Sequence, residues 1–175
     1  MLDQKLVLMN GFELLRRLGL EHQLINDPEI WASLTSEQAF MRLLSLPLKT
    51  IIRTGALNRI MDNSNGVVKG CILMEILSYR DVGKPLPMQK SLETSGEEPV
   101  PQYSATRTFK LLLTDGSDKT YVAMEYESCK QLDSIRIGGK LLFHDIYFFK
   151  GVLLITPKTM KYLGCNQESN FDLIS

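Results

Sequence analysis

The sequence is poor in the residues that most often build chemistry. Its 175 residues include three cysteines, two histidines and one tryptophan. Cys71, Cys129 and Cys165 lie far apart and leave an odd one over, and no CxxC pair occurs. That excludes a disulfide framework and points to a reducing compartment. His22 and His144 have no second histidine or cysteine nearby in sequence, so a zinc site has no local signature. No metal and no cofactor are expected. Net charge is missing as well: twenty basic side chains balance twenty acidic ones. Neutrality excludes a histone-like binder whose affinity comes from bulk electrostatics. No apolar run approaches the ~20 residues needed to cross a bilayer. The start, Met1-Leu2-Asp3-Gln4-Lys5 with Arg16-Arg17 soon after, is a poor secretory signal. The chain reads as a soluble intracellular protein with no membrane role.

What is present is an ordinary globular composition, 44% hydrophobic, 23% charged and 8% aromatic. This length fits one domain or one domain plus a small appendage, and it can bury a core without a metal or disulfide staple. Residues 1–62 read as a helical N-terminal domain. Asp3 caps a segment whose stripe is Leu6, Met9, Phe12, Leu14, Leu15 and Leu18, and Gly19 is its terminator. Asp27-Pro28 pairs an N-cap with proline at the first helical position. Thr35-Ser36-Glu37-Gln38 fits a capping box ahead of Ala39, Phe40, Leu43 and Leu44. Pro47 breaks that pattern, and Leu48, Ile51 and Ile52 continue it to Gly55. The polar cluster Asp62-Asn63-Ser64-Asn65-Gly66 then reads as a turn.

Beyond it the period shortens to two. Strands are expected at Cys71–Tyr79, Thr108–Leu113, Thr120–Tyr126, Lys140–Ile146 and Val152–Thr156. Thr114-Asp115-Gly116 closes the second strand, Gly138-Gly139 precedes the fourth, and Pro157 ends pairing after the fifth. Five strands with an irregular or helical piece after the third suit the Greek-key barrel called the OB-fold. The fold class is therefore α+β: a small helical domain, a five-stranded OB-fold barrel over residues 67–164, and a tail over 165–175. One segment stands out. Residues 82–106 show no apolar periodicity yet hold Pro85, Pro87, Pro99 and Pro101, four of the chain's seven prolines. They form a long insertion between strands one and two. Unstructured connections beyond about 12–15 residues are uncommon in compact domains and are functional or disordered where they occur.

Signals for catalysis are thin. A Gly-x-Ser-x-Gly elbow, a P-loop and a Rossmann fingerprint are all absent. Asp115 and Asp118 lie close together, but Asp-Gly-Ser-Asp reads as a hairpin turn before it reads as an acid/base pair. His144 and Asp145 are adjacent in a strand, so alternation sends them to opposite faces. Cys129 has no neighbouring histidine to activate it. No catalytic residue is assigned and no enzyme is expected. Binding of single-stranded DNA is the rival reading, because OB-folds stack bases on aromatics within a basic groove. Tyr121, Tyr126, Tyr147, Phe148 and Phe149 lie near Lys110, Lys119, Lys140 and Lys150. The candidate DNA contacts are Lys110, Lys119, Tyr147, Phe148 and Lys150. Alternation puts Tyr147 and Phe149 on one face and Phe148 on the other, so part of this cluster packs the barrel.

Four stretches carry a resemblance: Asp81-Val82 with Pro85, Leu112-Leu113-Thr114-Asp115-Gly116, Ala123-Met124-Glu125-Tyr126, and Gly151-Val152-Leu153-Leu154-Ile155-x-Pro157 followed by Lys161-Tyr162-Leu163-Gly164. In this order and spacing, over roughly residues 68–164, the chain resembles the RecQ-mediated genome instability protein family. That family supplies the OB-fold subunit of the topoisomerase III–RecQ helicase complex. The resemblance implies a non-catalytic subunit, nuclear, that partners a type IA topoisomerase and a RecQ-type helicase. It also implies a possible contact with single-stranded DNA or DNA junctions. In the family the insertion between strands one and two reaches the topoisomerase gate, favouring decatenation and dissolution of double Holliday junctions. Residues 82–106 take that place here, with Pro85, Leu86, Pro87, Met88, Leu92, Pro99, Val100, Pro101 and Tyr103 as partner contacts. Apolar and aromatic side chains carry most interface energy, and prolines lower the ordering cost of a free loop. The chain departs from the family after Gly164, where Cys165-Asn166-Gln167 leads into a short tail. With neither a second OB domain nor a Tudor cage, it is expected to be a minimal version of the subunit. Charge is unevenly spread. Residues 70–106 carry three basic and five acidic side chains, and residues 107–161 carry nine and six. Any DNA contact is then modest and borne by the barrel, while the insertion is suited to gripping a protein.

Overall fold

A computed structural model describes residues 10–18, 20, 27–52, 57, 64–83 and 107–165. Four short helices come first: α1 (Gly11–Arg17), α2 (Pro28–Ser33), α3 (Ser36–Ser45) and α4 (Leu48–Ile51). The capping box of α3 is as expected. Thr35 Oγ1 accepts from Gln38 N at 3.3 Å, and Gln38 Oε1 accepts from Thr35 N at 3.0 Å. Proline opens α2, yet Asp27 stands at φ +53° and makes no side-chain cap. That left-handed backbone departs from the extended conformation in which an N-cap side chain reaches the N2 or N3 amide. Asn10 caps α1, accepting from Glu13 N at 2.9 Å, and the expected cap Asp3, with Leu6, Met9, Gly19 and Gly55, lies outside the described residues. Gly11 lets α1 sit tight against its neighbours. A Cβ there would meet Trp31 O at 2.6 Å and Ala39 Cβ at 2.7 Å.

Six strands follow: β1 (Asn65–Asp81), β2 (Phe109–Thr114), β3 (Thr120–Glu125), β4 (Lys140–Phe149), β5 (Val152–Ile155) and β6 (Met160–Gly164). The order β1-β2-β3-β5-β4, closed by pairing of β1 with β4, is the five-stranded OB-fold barrel. A 3-10 turn, Lys130–Ser134, fills the place between β3 and β4. The described structure is thus α+β, helices followed by an OB-fold, with residues 84–106 between β1 and β2.

Two boundaries differ from expectation. Asn65 and Gly66, read as a turn, already pair with Phe149 and Phe148, so β1 runs 17 residues. That length lets β1 serve two partners, β4 over Asn65–Glu75 and β2 over Glu75–Asp81. The sixth strand lies beyond Pro157. A tight turn there sends the chain back onto the first half of β4, while β5 holds the second half.

Alternation along the strands sorts the side chains. Ile72, Met74, Ile76, Leu111, Leu113, Ala123, Leu141, Phe143, Leu153 and Ile155 fill the barrel. A second apolar cluster joins Leu14, Leu15, Trp31, Leu43, Leu48 and Ile51 of the helices to Leu73, which points outward from β1. The helices therefore roof one part of the barrel's outer surface. Polar links fasten that roof. Glu75 accepts from Leu48 N at the start of α4 and from Lys140 Nζ at 3.0 Å. Asp115 accepts from Leu57 N at 3.0 Å.

Candidate interaction face and insertion neck

The outer surface not roofed by the helices is formed by β2, β3, β5 and the end of β4. Register places Arg80 opposite Lys110, Lys110 opposite Met124, Met124 opposite Leu154, and Leu154 opposite Tyr147. These residues form one row across five strands. Their strand neighbours of opposite parity, Leu111, Ala123, Leu153, Ile146 and Phe148, face or cover the core. At one end, Ser78, Arg80, Lys110, Leu112 and Val122 line a groove of about 260 Å³, with Tyr79 at its rim. At the other end stand Tyr147 and Phe149, 55% and 52% exposed. This face offers cations, an apolar floor and aromatics, the surface chemistry of a binding module.

Beside the groove the insertion leaves and rejoins the barrel through a narrow neck. Val82 N donates to Thr108 O at 2.7 Å. Asp81 Oδ1 accepts from Thr108 N and from Gly83 N, each at 3.0 Å. On the return side, Arg107 donates to Glu125 at 2.8 Å and to Cys129 O at 3.2 Å, pairs with Asp133, and lies 4.9 Å from the Phe109 ring centroid. Glu125 also accepts from Phe109 N at 2.9 Å and Cys129 N at 2.8 Å. Tyr79 meets Phe109 edge to face at 5.9 Å. Both ends of the insertion are thus bonded to the barrel and to each other. The proposed contacts Pro85, Leu86, Pro87, Met88, Leu92, Pro99, Val100, Pro101 and Tyr103 lie outside the described residues.

The candidate DNA contacts separate into groups. Lys110 lines the groove, and Tyr147 ends the same row. Lys150 occupies the β4–β5 turn, its Nζ 5.5 Å from the Phe149 ring centroid. Phe148 takes the other parity and packs half-buried on the barrel core, over Gly66. Lys119 sits in the β2–β3 turn beside Asp118, whose carboxylate pairs with Lys49 of the helices at 2.9 Å. Lys140, counted among the nearby cations, is fully buried against Glu75; its burial pushes the ammonium pKa down, against the opposing pull of Glu75. Tyr121 likewise faces the core, 7% exposed. Sequence reasoning passed over Arg80. Alternation would have hidden it, since residue 80 shares the parity of the core-facing Ile72, Met74 and Ile76, and only the register shift between Ile76 and Ser78 turns it outward.

The other titratable groups have structural partners. Asp115 is fully buried and accepts from Leu57 N, from Ser117 N at 3.1 Å and from Ser117 Oγ at 2.6 Å. Asp115 and Asp118 do share a turn, but one is buried in bonds and the other points to solvent. Burial, then the charge of Asp115, pushes the Tyr121 phenol up to about 12. His144 and Asp145 contradict simple alternation. Asp145 adopts φ +49° where β1 shifts register between Val68 and Cys71, and the two side chains approach to 3.9 Å. The bulge breaks the two-residue period that was expected to part them. Asp145 uses its carboxylate on Gly70 N at 2.8 Å, a bond that holds its pKa below the usual range. Burial pushes the thiols of Cys71 and Cys129 up, so neither is activated. Among the described residues no group of three or more His, Cys, Asp or Glu is placed to hold a metal.

The described OB-fold thus presents a partly exposed apolar-basic face, and the two ends of residues 84–106 are bonded together at its edge. The family model described as RMI1, N-terminal OB-fold domain, matches residues 55–170. The chain belongs to the RecQ-mediated genome instability protein family, and with it to the genome-stability accessories of the topoisomerase III–RecQ complex. A comparison with curated proteins returns no match.

Proposed function

We propose that the chain is a non-catalytic nuclear subunit that binds topoisomerase III, a type IA enzyme, and works with a RecQ-type helicase. In this reading residues 1–62 form a helical domain, 67–164 the docking barrel and 165–175 a tail. The insertion, through residues such as Leu86, Met88, Leu92, Val100 and Tyr103, engages the topoisomerase gate and favours decatenation and double Holliday junction dissolution. The observation that carries it is the neck. A long polar, proline-rich segment is costly to order on its own, and here its two ends are bonded together at Val82 and Thr108. A fixed stem lets binding energy be spent on the loop alone.

The neck also makes the test clean. Because residues 83 and 107 flank an already closed pair, 84–106 can be replaced by a short Gly-containing turn without opening the barrel. The shortened chain is expected to keep its thermal transition and to lose most stimulation of decatenation by topoisomerase III. Stimulation equal to that of the intact chain would sink the loop mechanism. Failure of the intact chain to copurify with the topoisomerase would sink the partnership itself.

A further inference from the structure

Arg107 stands where the insertion rejoins the barrel, two residues outside β2. It lies beyond both neighbouring ladders: β1–β2 pairing ends with Asp81 opposite Phe109, and β2–β3 pairing begins with Lys110 opposite Met124. Its side chain is nevertheless only 19% exposed, because the guanidinium turns back onto three elements. Nη2 donates to Glu125 of β3 at 2.8 Å and to Cys129 O, at the head of the 3-10 turn, at 3.2 Å. Nη1 pairs with Asp133 inside that turn, and the guanidinium carbon lies 4.9 Å from the Phe109 ring centroid on β2. Each anchor is itself held. Glu125 is 2% exposed and also accepts from Phe109 N and Cys129 N. The 3-10 turn is tied to β6 by Gln131 Oε1, which accepts from Tyr162 N at 2.8 Å. Phe109 meets Tyr79 of β1 edge to face, so the hub reaches the strand that leads into the insertion.

We propose that Arg107 is a positioning residue for the insertion: its guanidinium fixes the direction in which residues 84–106 stand off the barrel edge. The proposal rests on the reading that the insertion engages the topoisomerase gate, and it adds the device that aims it. The backbone bonds of the neck hold the two ends together at Val82 and Thr108, but a pair of joined ends can still swing. A planar fork bonded to a strand, a turn and a ring fixes its own position and plane, and with them the backbone that carries it. A segment ordered only at the encounter loses that free energy there. Fixing the direction of its base beforehand removes part of the loss. Lysine could not substitute. Its single ammonium keeps the charge opposite Glu125, but it cannot span Glu125, Cys129 O and Asp133 together or lie flat on the Phe109 ring.

Arg107→Lys in the full chain is the test, because the charge facing buried Glu125 is kept and the fold with it. The variant is expected to keep its thermal transition and its copurification with topoisomerase III. Its stimulation of decatenation should fall about three- to tenfold, the cost of ordering a released loop base at the encounter. The steady-state 15N NOE of the Gly83 and Thr108 amides should fall too, while those of β3 hold. Asp133→Ala removes the turn anchor alone and leaves Glu125 paired, so it should give a smaller loss in the same direction. A lowered thermal transition with those two amides unchanged marks a structural arginine and overturns the proposal. So does lost copurification, which would put Arg107 in the docking surface itself. Full stimulation by Arg107→Lys, where replacing 84–106 abolishes it, overturns the positioning role and leaves the loop mechanism standing. Full stimulation by both variants sinks the loop mechanism and the positioning role with it.

Discussion

Leu73 and Leu154 both point outward from one barrel, yet Leu73 is fully buried and Leu154 only partly. The difference is the helical roof. Around Leu73 the outer face is closed by Leu43, Leu48 and Ile51, and by buried polar bonds from Glu75 and Asp115. Around Leu154 the same kind of strand surface keeps half-buried apolar residues, the exposed rings of Tyr147 and Phe149, and Lys110. A barrel that needed only stability would cover both. Burial on one side holds the helices to the barrel, while among the described residues β2, β3 and β5 present a partly exposed surface.

Three experiments can break or sharpen that contrast. The largest effect is expected at the roof's polar anchor. Glu75→Ala strands the fully buried Lys140 ammonium and the Leu48 N–H. Losing one partner of a buried pair costs about 3–5 kcal/mol, read as a drop in the urea midpoint. The double change Glu75→Gln/Lys140→Met should recover most of it. A Glu75→Ala loss below about 1 kcal/mol would show that the roof is not anchored there.

Next come the paired truncations that opened the comparison. Leu73→Ala is expected to lose about 2–5 kcal/mol as a buried cavity, and Leu154→Ala about 1 kcal/mol or less. Equal losses would erase the distinction between the two faces. The smallest effect is alkaline. The Tyr121 phenol, raised from 10 to about 12 by burial and Asp115, stays protonated in the fold after the unfolded chain has released its proton. Its contribution is therefore complete below pH 10 and is lost as the pH climbs through about 12. Tyr121→Phe should flatten the fall in thermal midpoint between those values while changing little at neutral pH.

Much of this was legible along the chain, because local rules decide local features. The capping box at Thr35–Gln38 holds in the fold, and so does the parity that parts Phe148 from Tyr147 and Phe149. Insertion and barrel could be read from periodicity and proline placement. Asp27 failed as a side-chain cap because its backbone is left-handed, a state that composition does not reveal. The start of β1 was missed because Asn65-Gly66 has turn chemistry, and only the far-off partner Phe149 makes it a strand. The His144–Asp145 approach depends on a bulge set by β1, not on residues 144 and 145 themselves.

Read along the chain, the residues settle the class of fold, the family, the place of the insertion and the neutrality that rules out bulk attraction to DNA. Those are properties of period, composition and order, and each is written within short windows. Which cations are buried and which stay exposed is set by the fold. Lys140 became a buried partner of Glu75, and Lys119 sits in an exposed turn next to the Asp118–Lys49 pair. Arg80 and Lys110 were set face to face across β1 and β2. Charge is counted along a chain, but its meaning depends on cross-strand neighbours, and register alone brings those together.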